Sequence, residues 1–141
     1  MSGSYVLDAC VAAKILFAEE GSAAARALVA AADTVIAPEL VLLEIANVAV
    51  KKARRKELTR SQAQEALQDM PDLFDSFVPT EELRSLATDL ALKSMTSTYD
   101  AIYAALAMRD RLILVTADTR FAASLRGVVG APQVLVLGEV G

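Results

Sequence analysis

The sequence contains no histidine and a single cysteine, Cys10. Without histidine there is no imidazole general acid or base, no Ser-His-Asp or Cys-His nucleophile system and no histidine-ligated metal site. One cysteine excludes an intramolecular disulfide and a multi-cysteine zinc site. Carboxylates, lysines, hydroxyl groups and a bound metal ion therefore remain as means of catalysis. Oxygen ligands alone favour Mg²⁺ or Mn²⁺ over Zn²⁺.

Long uncharged apolar runs are also missing. Acidic residues at positions 33, 39 and 44 interrupt the best candidate for a span of about 18 residues, so we expect no transmembrane helix and no membrane partner. The N-terminus, residues 1–4, lacks the basic region and apolar run of a signal peptide, and we expect a cytoplasmic protein. The length of 141 residues predicts a single domain over residues 1–141.

Charge is unevenly distributed along the chain. The net charge of −4 argues weakly against non-specific nucleic-acid binding by the whole surface. Five of the 14 basic residues nevertheless lie in one short stretch, namely Lys51, Lys52, Arg54, Arg55 and Lys56. This basic run could hold RNA phosphates. It could equally be a solvated helix end that complements the helix dipole.

Short apolar runs alternate with helical patterns, which predicts an α/β fold with a largely parallel sheet. The predicted strands are residues 5–7, 34–36, 74–78, 112–115 and 134–137. The predicted helices are residues 11–20, 22–32, 38–55, 98–109 and 118–125, with two more that begin near residues 59 and 80. Pro38 would open its helix, a Thr59–Gln62 capping box the next one, and Thr80 would cap the one after.

Four acidic residues stand within apolar sequence: Asp8, Glu44, Asp100 and Asp118. Carboxylates in such surroundings cost folding free energy unless something pairs with them, and a divalent cation can serve several at once. Asp8 ends the first predicted strand and Asp118 follows the fourth. If these strands are neighbours, the two carboxylates converge outside the carboxyl ends of the sheet, where open parallel sheets bind ligands. Such a cluster suits metal-dependent phosphodiester hydrolysis.

Each acid also has a simpler structural interpretation. Asp8 and Asp118 could cap helices, Asp100 could be a first-turn acid that favours the helix dipole, and Glu44 could be partly exposed. Two other enzyme classes fit less well. A phosphotransfer receiver domain needs a lysine near the last strand, but no lysine follows Lys93. A haloacid-dehalogenase-type phosphatase needs an aspartate where Cys10 stands.

Four segments that carry these acids resemble PIN domains, and more closely the VapC toxins of prokaryotic toxin–antitoxin pairs: residues 5–11, 38–47, 99–107 and 114–121. The resemblance extends from about residue 5 to residue 137. It implies a PIN-like three-layer α/β/α sandwich with a central parallel sheet. It also implies an endoribonuclease dependent on Mg²⁺ or Mn²⁺, in which metal-activated water cleaves RNA phosphodiesters. A homodimer and a cognate VapB-type antitoxin that covers the active-site groove are further implications.

The resemblance also implies residue roles. Asp8 and Asp100 would be the principal metal ligands, Asp118 would bind metal directly or through water, and Glu44 would position a metal-bound water. Thr116 would support the site through hydrogen bonds. One position departs from the family, which often has Ser or Asn where this chain has Cys10; we expect Cys10 to be a small buried filler. A catalytically silent PIN-like module that binds RNA or protein is the alternative function.

Overall fold

The structure is a computed structural model that describes residues 3–138. Residues 1, 2 and 139–141 lie outside this range. The prediction that the N-terminus is not a signal peptide therefore falls partly outside the described residues. Within the described residues a five-stranded parallel sheet has the order β3-β2-β1-β4-β5. Its strands are β1 (Ser4–Leu7), β2 (Thr34–Pro38), β3 (Ser76–Val78), β4 (Ile113–Thr116) and β5 (Val134–Val136).

Helices separate the strands along the chain and cover the sheet. In the described residues they are α1 (Ala9–Leu16), α2 (Ser22–Ala30), α3 (Leu40–Arg54), α4 (Arg60–Asp69), α5 (Thr80–Ser94), α6 (Thr98–Asp110) and α7 (Thr119–Leu125). A 3₁₀ turn, Met70–Leu73, follows α4. The predicted α/β sandwich with a central parallel sheet is confirmed. None of the helices within residues 3–138 combines the length and the apolar character that crossing a membrane requires.

The first strand of the chain lies at the centre of the sheet. It pairs with β2 on one side and with β4 on the other, and Leu7 is in register with Val115. Both central strands are buried at consecutive positions, as strands of a parallel sheet covered on both faces must be. Because the chain leaves β1 toward β2 and only later returns to β4, the carboxyl ends of β1 and β4 form a topological switch point. A crevice for ligands is expected there.

Helix α6 is the most deeply buried helix. All residues from Ala101 to Ala107 are buried, because α6 lies against β1, β2 and β4 and packs along α5. Its many alanines allow this close approach while its first turn, with Asp100, stays exposed at the edge of the sheet. The helix therefore carries side chains from the core directly to the switch point.

Several predicted boundaries were wrong. Helix α1 ends at Leu16 rather than near residue 20, because Phe17 is extended and buries its ring in the core. The Ser22 hydroxyl then donates to the Phe17 carbonyl and accepts from the Glu19 amide, which stabilises the turn into α2. Helix α2 in turn ends at Ala30 and not at residue 32.

Two predictions about helix starts were also wrong, and one was confirmed. Pro38 is buried as the last residue of β2 and does not open α3, which begins at Leu40. Thr80 is the first residue of α5 and makes no capping bond with its side chain. The capping box of Thr59 and Gln62 is present, since each side chain accepts a hydrogen bond from the other residue's backbone amide.

Candidate active site

The four carboxylates predicted from the sequence line one pocket at the switch point. The pocket has a volume of about 330 Å³ and opens beyond the carboxyl ends of β1 and β4. Its lining residues are Asp8, Ala9, Cys10, Glu44, Asn47, Val48, Lys51, Asp100, Tyr103, Asp118 and Phe121. Two strand ends and helices α3 and α6 therefore bring together acids that are far apart in the sequence.

Asp8 is buried directly after β1 and caps helix α1. Its Oδ1 accepts hydrogen bonds from the Val11 amide at 3.1 Å and from the Cys10 thiol at 2.8 Å. The predicted capping role is thus present together with the place in the pocket. Burial raises the pKa of Asp8, and the bonds from Cys10, Thr116 and Val11 oppose that rise. The hydrogen bond from the Val11 amide, at the start of α1, fixes the position of the Asp8 carboxyl group.

Glu44 projects from α3 and is half-buried. Its Oε1 accepts a hydrogen bond from the hydroxyl of Tyr103 on α6. Burial raises the pKa of Glu44, the bond from Tyr103 lowers it, and the negative charges of Asp100 and Asp8 raise it further. Sequence reasoning missed Tyr103 as a site residue. The available signal was its spacing, because a residue three positions after Asp100 on a helix lies on the same face.

Asp100 and Asp118 occupy the exposed side of the pocket. Asp100 lies in the first turn of α6, where its amide donates to the hydroxyl of Ser97, the capping residue. Partial burial raises the pKa of Asp100, and the neighbouring charge of Asp118 adds to that rise. Asp118 caps α7, and its Oδ1 accepts from the amides of Arg120 and Phe121, both at 3.0 Å. The capping predicted for Asp118 is confirmed.

Thr116 is fully buried at the end of β4, between the two strand ends. Its hydroxyl oxygen accepts a hydrogen bond from the Asp118 amide at 3.0 Å and lies 4.0 Å from the Cys10 sulfur. A bond from Thr116 also lowers the pKa of Asp8. This hydroxyl therefore holds the backbone at Asp118 and lies beside Cys10, whose thiol donates to Asp8. The supporting role predicted for Thr116 stays a prediction.

The model of the PIN domain family matches residues 5–124, which includes all four carboxylates and Tyr103. The chain belongs to the PIN domain family. It is 32% identical over 126 residues to Ribonuclease VapC3 of Pyrobaculum aerophilum, a match that covers 88% of this chain and 96% of that protein. The resemblance inferred from the sequence segments is thereby confirmed.

Solved structures support the same fold. A toxin–antitoxin complex from Klebsiella pneumoniae superposes with a TM-score of 0.65 at 19% identity, covering 94% of this chain and 97% of that chain. VapBC2 from Rickettsia felis, bound to a DNA fragment from its promoter, gives a TM-score of 0.64 at 15% identity, covering 94% of this chain and 97% of that chain. At these identities the likeness establishes the architecture of the PIN domain and no more.

Cys10 is not the buried filler that we expected. The residue is exposed at the pocket, and its sulfur is turned toward the Asp8 carboxylate, to which the thiol donates. Loss of hydration around the sulfur raises the pKa of Cys10 to about 12, and the charge of Asp8 contributes to that rise. In this PIN domain the thiol is therefore a protonated hydrogen-bond donor to a pocket carboxylate at neutral pH.

The structure divides the basic run between two roles. Lys51 lines the pocket. Lys52 instead lies 3.0 Å from a Glu19 carboxylate oxygen and 5.5 Å from the centre of the Phe17 ring, so it ties α3 to the turn after α1. The remaining basic residues follow at the exposed end of α3.

The pocket fits a hard divalent cation. Its donors are carboxylate oxygens, and the raised pKa values of Asp8, Glu44 and Asp100 reflect burial together with mutual repulsion that a cation would relieve. In the part of the chain that the structure describes, no three acidic or cysteine side chains are close enough for a preformed metal cage. Mg²⁺ does not require one, because it usually keeps several waters and binds one or two carboxylates together with substrate phosphates.

Proposed function

We propose that this PIN domain is a metal-dependent endoribonuclease of the VapC type that acts as the toxin of a toxin–antitoxin pair. The observation that carries the proposal is the convergence of Asp8, Glu44, Asp100 and Asp118 in one pocket at the carboxyl ends of β1 and β4. The identity of 32% to a protein named Ribonuclease VapC3, over nearly the full length of both chains, supports the same activity.

The carboxylates are proposed to have different roles, which depend on their positions in the pocket. Asp8 and Asp100 are proposed as the principal ligands of Mg²⁺ or Mn²⁺, with Asp118 beside them. The bound cation would supply Lewis acidity and would lower the pKa of water toward about 7. Glu44 would orient the attacking water from the α3 side of the pocket. Thr116 and the capping bonds hold Asp8 and Asp118 in place, which reduces the motion that would separate the ligands.

RNA would approach over the end of α3. Lys51 lines the pocket together with the carboxylates, and a lysine there would contact a backbone phosphate next to the cleaved bond. Its positive charge offsets part of the repulsion between the acidic pocket and the phosphates. We propose that Arg54, Arg55 and Lys56 extend this contact along the RNA outside the pocket.

A partner antitoxin and self-association belong to the same proposal. Among the neighbours of known structure are toxin–antitoxin complexes, including VapBC-5 from Mycobacterium tuberculosis. Large apolar side chains are exposed on α3 and at the end of α5, namely Leu43 at 70%, Leu92 at 73% and Met95 at 88%. We propose that such surface is covered in a homodimer and in the complex with a VapB-type antitoxin, in the cytoplasm where the RNA substrate is found.

The decisive experiment treats total RNA with purified, antitoxin-free protein plus Mg²⁺ or Mn²⁺ and maps new 5′ ends. Discrete cuts that disappear with EDTA and with Asp100→Asn would establish the nuclease and identify its target. The expected products carry 5′-phosphate and 3′-hydroxyl ends. Intact RNA in the presence of folded, metal-binding protein would contradict the proposal and favour a catalytically silent PIN-like module.

A further inference from the structure

Tyr103 joins the hydrophobic core to the active-site pocket. Its side chain is only 2% exposed, yet the residue lines the pocket and its hydroxyl donates to Glu44. The two residues are 59 positions apart and belong to different helices, α6 and α3. A phenol hydroxyl buried at such a position needs a hydrogen-bond partner, and here that partner is a pocket carboxylate.

The two members of this pair differ in rigidity. A glutamate on a half-exposed helix face loses considerable rotamer freedom when it is fixed, whereas a tyrosine has two side-chain torsions and the ring of Tyr103 is held by the core. Burial together with the charge of Glu44 raises the pKa of Tyr103 far above its ordinary range, so the hydroxyl keeps its proton and remains a donor. The rigid partner therefore orients the flexible one.

Helix α6 carries a second pocket residue on the same face. Asp100 lies three positions before Tyr103, and residues at that spacing are neighbours on a helix surface. One rigid, buried helix thus sets both the place of Asp100 and the place of Glu44. The distance between Asp100, a proposed metal ligand, and Glu44, which would orient the water, would then depend on the position of α6 relative to α3.

We propose that Tyr103 is a positioning residue of the active site, whose hydroxyl holds one oxygen of Glu44 and leaves the other oxygen free to act. This inference rests on the proposed ribonuclease function. It assigns to Tyr103 no contact with RNA and no proton transfer. Its role is to hold Glu44 in one orientation while the substrate and the cation are bound.

The test is the substitution Tyr103→Phe, which removes the hydroxyl and keeps the ring in the core. We expect kcat for RNA cleavage to fall by roughly 10- to 100-fold, as for a catalytic group that is no longer well oriented. KM for RNA should stay within about twofold, because Tyr103 does not touch the substrate. The matched control is Tyr99→Phe, one turn earlier on α6, where the side chain is 63% exposed and outside the pocket; its kcat should equal that of the wild type.

A double-mutant cycle separates positioning from a general structural effect. If Tyr103 acts through Glu44, then Tyr103→Phe should cause no further loss of kcat in a Glu44→Ala background. Calorimetric titration with Mn²⁺ supplies a readout independent of cleavage. We expect Tyr103→Phe to weaken Mn²⁺ binding by roughly threefold or more, because the carboxylate cluster loses its fixed member.

The outcomes distinguish this inference from the proposed function. A wild-type protein that binds Mn²⁺ but cuts no RNA would contradict the proposed function, and the Mn²⁺ affinity of Tyr103→Phe would still decide the inference. Full activity of Tyr103→Phe, or a loss of kcat of the same size in the Glu44→Ala background, would overturn the positioning role. Unchanged Mn²⁺ affinity would overturn it as well.

Discussion

At the scale of single residues, Asp8 combines two compatible roles, because it caps a helix and lines the pocket at the same edge of the sheet. As a capping residue it satisfies an amide at the start of α1, and as a pocket residue it carries a charge that burial disfavours. Asparagine caps a helix about as well as aspartate does, so Asp8→Asn keeps the first role and removes the second. The substitution therefore isolates the cost of the buried charge.

We predict that metal-free Asp8→Asn unfolds at a higher temperature than the wild type at pH 7. The pKa of Asp8 in the folded protein lies above its ordinary value of 3.8, so between these two values the folded state binds more protons than the unfolded state. Stability then falls as pH rises through this window, by about 1.4 kcal/mol for each pH unit that separates the two pKa values. Thermal unfolding in EDTA, followed by circular dichroism from pH 3 to pH 7, measures the difference.

The advantage of Asp8→Asn should disappear below pH 3.8, where the carboxyl is protonated in both states. The exposed Glu65 on α4 provides the control, since Glu65→Gln should leave the free energy of unfolding within about 0.5 kcal/mol of the wild type at every pH. A mutant at position 8 that is less stable than the wild type at pH 7 would show that the charge is compensated.

At the scale of elements, helix α3 separates two neighbouring lysines. Consecutive residues on a helix point about 100° apart, so Lys51 and Lys52 face different surroundings. Lys51 reaches the pocket, whereas the side chain of Lys52 is 18% exposed and contacts Glu19 and Phe17. One basic run thus contains a residue suited to substrate binding and a residue that ties α3 to the turn after α1.

We predict opposite effects for the two alanine substitutions on α3. Lys51→Ala should lower kcat/KM for RNA by roughly 3- to 10-fold and reduce its salt dependence, with the unfolding midpoint unchanged, because one phosphate contact is lost. Lys52→Ala should lower the free energy of unfolding by about 0.5–1 kcal/mol, from the lost ion pair and cation–π contact, with cleavage retained. Each variant is the other's control, measured by cleavage kinetics and urea unfolding.

Equal losses of activity in both lysine variants would mean that the run acts as a diffuse positive surface. Equal losses of stability would mean that Lys51 also contributes to packing. Either result would contradict the division of the run that the structure shows at Glu19 and Phe17.

At the scale of the whole molecule, sheet order creates the site. The adjacency of β1 and β4 brings Asp8 and Asp118 to one edge, and α3 and α6 complete the pocket with Glu44 and Asp100. A site assembled from separate elements couples their stability, because a cation bound by Asp8 after β1 and Asp100 on α6 would resist separation of these two elements.

We predict that Mg²⁺ or Mn²⁺ raises the melting temperature of the whole domain. At a concentration of about 100 times the dissociation constant, binding adds about 2.7 kcal/mol. For a chain of 141 residues this corresponds to a shift in melting temperature of about 9 °C. Asp8→Asn and Asp100→Asn should each abolish the shift. Differential scanning calorimetry across a metal titration measures it.

Asp110→Asn is the matched control for the metal titration. Asp110 lies at the opposite end of α6 and bonds to Arg109, so this variant should keep the full response to metal. A melting temperature that stays constant up to millimolar metal in the wild type would contradict a cation site in the pocket.

Local patterns in the amino-acid sequence were enough to predict the parallel α/β architecture, the four carboxylates and the classes of chemistry excluded by the absence of histidine. These properties depend on apolar runs of strand length, on capping residues and on the side chains present. Even the helix starts at Asp8, Thr59 and Asp118 follow from bonds within three residues. The acidic residues, with Asp8 and Asp118 after predicted strands and Glu44 and Asp100 on predicted helices, indicated metal-dependent phosphodiester hydrolysis. The more specific ribonuclease toxin came from the resemblance of four segments to VapC toxins.

The meeting of distant side chains, in contrast, could be read only from the folded molecule. The bond from Tyr103 to Glu44, the exposure of Cys10 toward the pocket and the separate roles of Lys51 and Lys52 all depend on how α3 and α6 pack around the sheet. The spacing of apolar residues along a helix predicts which face is buried, but it does not predict which residue of another helix that face contacts. That choice is made by packing across the whole core, because contacts between elements are set by sheet order and helix seating.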